Sequence, residues 1–415
     1  MIMKQYHKSL RYLTFSFVCI MLLLVHIGPV TTLNAQQQDD PLFADSSSNF
    51  PDRTFVDRCL KIATMPGFAL GIINPDETTD FYMFGEMNRK TGESPTKDTI
   101  FFAASLTKTV TAVAILQLWE QGKIDLDADA STYLPFDLRH PDYPDTPITI
   151  RMMLTHSTGL SNVQWRSFSY FSLLHFPIDW YEYYLTPGNR FYYASNWNDY
   201  PPGEGLYYSS IAYDLLGFIV ERVSKESFPD YCNNHIFEPL EMKNTSMRLS
   251  DVNYEKLTHI YLNILGVYIE IPYYEIENDG SGGMFSTVED ICHYLSMHMH
   301  QGAYKDAQIL APDTIEMMHT VQFPDLPGYD IYKDGRNYGL GWIHWPDENY
   351  SYNKNMQGHL GNIPGALASM TVLNNTGVVF FGNEWSGLNY LQTTIMFMLR
   401  EYFHTKTKPF NANLF

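Results

Sequence analysis

Thr99-Ile-Phe-Phe-Ala-Ala-Ser105-Leu-Thr-Lys108 runs directly into Thr109-Val-Thr-Ala-Val-Ala-Ile-Leu-Gln-Leu-Trp-Glu-Gln-Gly122. The apolar positions Val110, Val113, Ala114, Leu116 and Trp119 recur at helical spacing, and Gly122 stands where a helix would stop. The spacing predicts an amphipathic helix from Ser105 to Gln121 with an S-x-x-K tetrad at its start. On one helix face, a hydroxyl and an amine three residues apart are neighbours. A serine hydroxyl is a weak nucleophile until a neighbour takes its proton, and a lysine held neutral does this. Backbone N–H groups at a helix start also stabilise an oxyanion.

The tetrad alone is weak evidence, since about one or two chance matches are expected in a chain of this length. Ser94-Pro-Thr-Lys97 and Ser351-Tyr-Asn-Lys354 also match it, but both sit in polar, turn-prone sequence with no apolar helix behind them. Taken by itself, Ser105 reads equally well as a helix cap.

Outward from this segment, Phe68 to Ile73 and Phe81 to Phe84 flank Asn74-Pro-Asp76 and predict a hairpin, with a further turn at Lys90-Thr-Gly92. The middle of the chain mixes helical patterns such as Ile211 to Val223 with aromatic loops. Beyond Gly282, a helix over Val288 to Met299 precedes expected strands at Tyr338 to His344, Ala366 to Leu373 and Val378 to Phe381, then a last helix over Asn389 to Phe403. Strands at both ends with helices between them predict one sheet assembled from distant segments, interrupted by a helical insertion over about residues 110–270.

The 415 residues carry a formal charge of −19, and once the leader's Lys4, Lys8 and Arg11 are set aside the remainder stands at −22. Such a surface repels phosphate backbones, which argues against nucleic acid as a partner. The basic stretch Lys4 to Arg11, the apolar run Leu13 to Ile27 and Leu33-Asn-Ala35 predict a signal peptide over residues 1–35, with an uncleaved membrane anchor as the alternative. Residues 36–50 read as a flexible linker and 51–415 as the folded domain. An exported protein is the expectation. Past the leader, which holds Cys19, the remaining Cys59, Cys232 and Cys292 are an odd set without C-x-x-C spacing, so neither a disulfide framework nor a zinc site is predicted. There is no H-E-x-x-H, nucleotide loop or G-x-S-x-G elbow, so no metal or cofactor is expected.

Further segments follow the tetrad in order: Ile150-Arg-Met-Met-Leu-Thr-His-Ser-Thr-Gly-Leu160, Pro202-Gly-Glu204 with Tyr207-Tyr-Ser-Ser210, Tyr213-Asp-Leu-Leu-Gly217, Pro239-Leu-Glu-Met242, Gly282-Gly-Met-Phe-Ser-Thr287 and Gly358-His-Leu-Gly361. With Ser105-Leu-Thr-Lys108 they resemble the serine β-lactamase-related hydrolases, a group holding class C β-lactamases, penicillin-binding proteins, D-aminopeptidases and family VIII carboxylesterases. The resemblance spans residues 55–400. It implies an α+β fold, a three-layer α/β/α transpeptidase-like domain with a mainly antiparallel sheet and an all-helical insertion, the active site lying between them.

It also implies the roles. Ser105 is the nucleophile and forms an acyl-enzyme, while Lys108 and Tyr208 handle its proton. Ser210 takes the place of the amide in the family's Tyr-x-Asn motif, a departure, because a hydroxyl cannot replace a paired carbonyl and amide. Whether this departure impairs β-lactam turnover is left open by the sequence. His359 and Gly361 stand for the third motif, with His359 orienting a substrate carboxylate or carbonyl and Gly361 letting a substrate backbone approach. The backbone N–H of Asn362 joins that of Ser105 as oxyanion donor. Tyr231-Cys-Asn233 and Tyr261-Leu-Asn263 lack the preceding Pro-Gly-Glu and rank below Tyr208, and Lys90-Thr-Gly92 precedes the nucleophile and reads as a decoy. Trp165, Trp180, Tyr181, Tyr192 and Trp197 either line an apolar pocket or pack the insertion. The implied substrate is a small ester, amide or D-amino-acid peptide; a non-catalytic penicillin-binding-like sensor is the alternative, kept open by Ser210. The sequence leaves the oligomeric state open.

Overall fold

The computed structural model describes residues 65–162, 178–264, 267–275, 280–328, 336–345 and 356–384. The leader, the linker, Ser351 to Lys354 and the expected helix at 389–403 lie outside them. Among the described residues, no helix is long and apolar enough to cross a membrane.

In chain order the strands are β1 (Gly67–Ile73), β2 (Thr79–Gly85), β3 (Phe101–Phe102), β4 (Ile260–Ile264), β5 (Val267–Ile271), β6 (Phe285–Ser286), β7 (Ala303–Tyr304), β8 (Ala307–Gln308), β9 (Asn337–Tyr338), β10 (Ile343–Trp345), β11 (Met356–Ile363), β12 (Ala366–Leu373) and β13 (Thr376–Gly382). The helices are α1 (Thr107–Glu120), α2 (Ile150–Leu154), α3 (Ile178–Leu185), α4 (Ser210–Ser224), α5 (Phe228–Cys232), α6 (Val288–Met299) and α7 (Pro312–His319).

Seven of these strands form one sheet in the order β2-β1-β13-β12-β11-β10-β9, every pair antiparallel. The expected hairpin is β1–β2, paired from Gly67–Gly85 to Ile73–Thr79. Because β1 also pairs with β13, the two ends of the described chain are knit side by side. Every residue of β1 and β13 is buried, as in a sheet covered on both faces. On one face lies α6, which packs on β1 and β13; Gly71 admits it, since a Cβ there would meet Cys292 Sγ at 2.4 Å.

Three expectations change. Tyr338 to His344 is not one strand: Gly341, at φ +73°, turns the chain between β9 and β10. His359-Leu-Gly361 lies within β11, Met356–Ile363, a strand that the family resemblance implies for this motif but that no residue pattern marks. The β4–β5 ribbon begins at Ile260, inside the stretch expected to be helical to about 270. The predicted helix is α1, but it has no polar face along most of its length: every residue from Thr107 to Leu116 is buried. It packs against α4 and α5, so apolar and threonine side chains surround it on all sides.

Candidate active site

From Phe101 to Val110 every residue is buried except Ser105, which is partly exposed. β3 leads into this segment by pairing with β6, and Ala103 N–H donates to Met284 O at 2.8 Å. Ala104 then takes φ +48°, a left-handed turn that a β-carbon makes costly. Ser105 follows within a 3₁₀ turn over Ala104–Leu106, which runs directly into α1 at Thr107. Its hydroxyl therefore projects from a bend, not from a regular helix start.

Lys108 lies one turn along and has no solvent exposure. Its Nζ donates to Ser105 Oγ at 3.1 Å and to Ser281 O at 2.6 Å. The same glycine-rich loop accepts a bond from Thr111 Oγ1 at Gly280 O, 2.6 Å away. Gly280 is required there, because a Cβ would stand 2.2 Å from Tyr213 O. The lysine is thus held, without solvent exposure, between the candidate nucleophile and a fixed carbonyl.

Tyr208 lies just before α4, and Lys108 Nζ sits 5.0 Å from the centre of its ring. The ring of His359 is 6.2 Å from that of Tyr208. His359 is buried and Nδ1 pairs with Leu360 O at 2.7 Å. Burial first, and then the charge of Lys108, push its pKa down to about 3, so the imidazole is neutral at ordinary pH. His156 is depressed well below its usual value by the same causes in the same order.

Gly361 has a role the sequence reading did not find. A Cβ there would lie 2.7 Å from Ala103 O and 2.9 Å from Ser105 N. The missing side chain makes room for the backbone of the serine itself, not only for a substrate. Beyond Gly358, where the β10 register ends, His359 to Ile363 pair only with β12 among the described residues. Asn362 is on this stretch, one residue beyond Gly361 and paired with Leu367 of β12. Ser210 is the first residue of α4.

The remaining candidates fall away from this cluster. Tyr231 is in α5 and Tyr261 in β4. Lys90-Thr-Gly92 is an exposed turn. Lys97 of the first decoy tetrad is paired with Glu289 at 2.7 Å. Trp180, Tyr181 and Trp197 are buried core residues, Trp180 stacking on Tyr184 at 4.8 Å, so they pack the helical region. Trp165 lies outside the described residues. Among the described residues, no group of three or more His, Cys, Asp or Glu forms a metal-binding set.

A model of the β-lactamase family matches residues 53–396. The D-alanyl-D-alanine-carboxypeptidase/endopeptidase AmpH of Escherichia coli is 26% identical over 315 residues, 75% of this chain and 76% of that protein. An octameric penicillin-binding protein homologue from Pyrococcus abyssi superposes with a TM-score of 0.66 at 25% identity, covering 84% of this chain and 76% of its own. A β-lactamase/D-alanine carboxypeptidase from Yersinia pestis, at 21% identity, shares the fold with a TM-score of 0.68 over 84% of this chain and 97% of its own. The architecture is the α+β, transpeptidase-like one that these structures share, and the chain belongs to the β-lactamase family as a serine hydrolase.

Proposed function

We propose that Ser105 attacks the carbonyl of a small ester, amide or D-amino-acid peptide and carries the acyl group until water releases it. The observation that carries this reading is the 3.1 Å contact between Lys108 Nζ and Ser105 Oγ in a buried setting. In the first step Ser105 Oγ bonds to the carbonyl carbon while its proton passes to the Lys108 and Tyr208 pair, which returns it to the departing amine or alcohol. The developing oxyanion is held by the N–H groups of Ser105 and Asn362. In the second step water gives its proton to the same pair and its oxygen to the acyl carbon, and Ser105 regains its hydrogen.

Among substrates, D-amino-acid peptides with a free carboxylate are the reading we favour. AmpH, similar over three quarters of the chain, is named for that activity. Arg336, 9% exposed, lies within electrostatic reach of His359 and His156 and lowers both of their pKa values; a cation there suits an anionic substrate. His359, neutral, then serves as a hydrogen-bonding group and not as a second cation. Export by the leader is part of the same proposal, and the mature N-terminus read by mass spectrometry tests it.

The test of the mechanism is a fluorophosphonate probe followed by intact-mass measurement on the native protein and on Ser105→Ala. One adduct on the native protein, absent from the variant, together with turnover of p-nitrophenyl esters or D-alanyl-D-alanine peptides, is the expected result. An adduct that persists without Ser105, or none on the native protein, overturns the assignment.

A further inference from the structure

Tyr208 is on an extended segment, so its ring position depends on what holds the backbone beneath it. Four consecutive residues of that segment are held from a single turn. Tyr207 N–H donates to His156 O at 2.8 Å, and Ser209 N–H donates to His156 Nδ1 at 3.1 Å. Asn162 Nδ2 donates to Tyr208 O at 2.9 Å, while Asn162 Oδ1 accepts from Ser210 N–H at 2.8 Å. One amide thus spans both ends of Tyr208-Ser209-Ser210.

Both holding residues are buried, His156 at 1% exposure and Asn162 at 3%. His156 also lies against the Tyr208 ring, with centroids 4.4 Å apart. Since its Nδ1 accepts from Ser209, its proton resides on Nε2, the neutral tautomer that its environment favours. His156 takes φ +58° to present both its carbonyl and its ring to this segment. Such backbone strain persists only where surrounding contacts enforce it.

We infer that Asn162 and His156 are positioning residues for Tyr208, setting its ring relative to Lys108 so that the proton of Ser105 has a fixed path. The inference rests on the acyl-enzyme reading above. The amide that braces this segment comes from Asn162, forty-six residues before Tyr208 in sequence. Both of its polar ends are committed to backbone, so it acts through Tyr208 and not on substrate. A misplacement near 1 Å of a catalytic group costs about 10²-fold in rate.

The experiment is a double-variant cycle on the full mature protein, with Asn162→Leu, Tyr208→Phe and the two combined. The readouts are the second-order rate of fluorophosphonate labelling and the kcat and KM for a p-nitrophenyl ester, with thermal melts to confirm folding. The expected result is a roughly 10- to 100-fold fall in labelling rate and kcat for Asn162→Leu with KM little changed, and no further fall when it is added to Tyr208→Phe. His156→Asn, whose Oδ1 replaces the acceptor, retains more activity than His156→Leu. Multiplicative losses in the double variant, or a loss confined to KM, overturn the inference. Where Asn162→Leu does not fold, Asn162→Ser completes the same cycle. If native protein and Ser105→Ala label equally, it is the acyl-enzyme reading that fails, and the two failures are thereby distinct.

Discussion

At Gly361 one methyl group would reach the nucleophile. Its Cβ would fall 2.9 Å from Ser105 N and 2.7 Å from Ala103 O, distances that force the Ser105 turn to move. Gly361→Ala is expected to lower the labelling rate by about 10²- to 10³-fold, the cost of losing one oxyanion donor, while the melting temperature stays within a few degrees. A fully active Gly361→Ala would show that the turn yields without loss. Ser210→Asn is the complementary change: restoring the amide is expected to raise β-lactam acylation relative to ester hydrolysis by about 10-fold or more, read as the ratio of the two rates. That Ser105, Lys108, Tyr208 and His359 lie close together was legible in sequence because each belongs to a short motif. Asn162 and the true neighbour of Gly361 were not, since those contacts join residues dozens or hundreds apart and leave no local pattern.

Elements were legible where propensity and burial agree. β12 and α6 match their expected spans, with Thr287 capping α6 at Asp290 N–H. β11 escaped because Gly358 and Gly361 carry no strand propensity; its neighbours in the sheet impose the extended form. The β4–β5 ribbon does carry the strand signal. Ile260, Leu262 and Ile264 face Ile271, Ile269 and Val267 across it, while Tyr261 and Asn263 alternate with them, but a helical insertion was expected there. α1 shows how much hangs on one element, because burial on all sides leaves no tolerant face. Leu116→Ala, at a position with no exposure, is expected to cost about 2–5 kcal/mol in urea unfolding, against about 0.5 kcal/mol or less for a change at exposed Lys123 just beyond the helix.

For the whole molecule, pH sets two opposing slopes. Burial comes first among the causes that keep His156, His298, His319 and His359 neutral, with His319 and His359 pushed down to about 3. His298 Nδ1 and His319 Nε2 are 3.0 Å apart, with His319 stacked on Trp342 and His298 tilted against the same ring. Between those depressed values and an unfolded value near 6.5, the unfolded chain binds more protons than the native one. The stability these residues contribute is therefore complete above about 6.5 and is lost as pH falls through that window. Glu384 works the other way: burial lifts its carboxyl to about 8, so from its ordinary range up to that value the native state holds the extra proton and stability falls as pH rises. Asp290, raised by burial, adds to that slope at lower pH. Four histidines outweigh these carboxyls on the acid side, and Glu384 acts alone between 6.5 and 8 among the groups named. Urea midpoints measured from pH 4 to 9 are thus expected to peak near pH 6.5. Glu384→Gln should flatten the alkaline side while leaving the acid side steep, and His319→Gln should lessen the acid slope, with three depressed histidines remaining, while leaving the alkaline side unchanged. An acid side unchanged in His319→Gln would mean that this histidine is not held neutral by the fold.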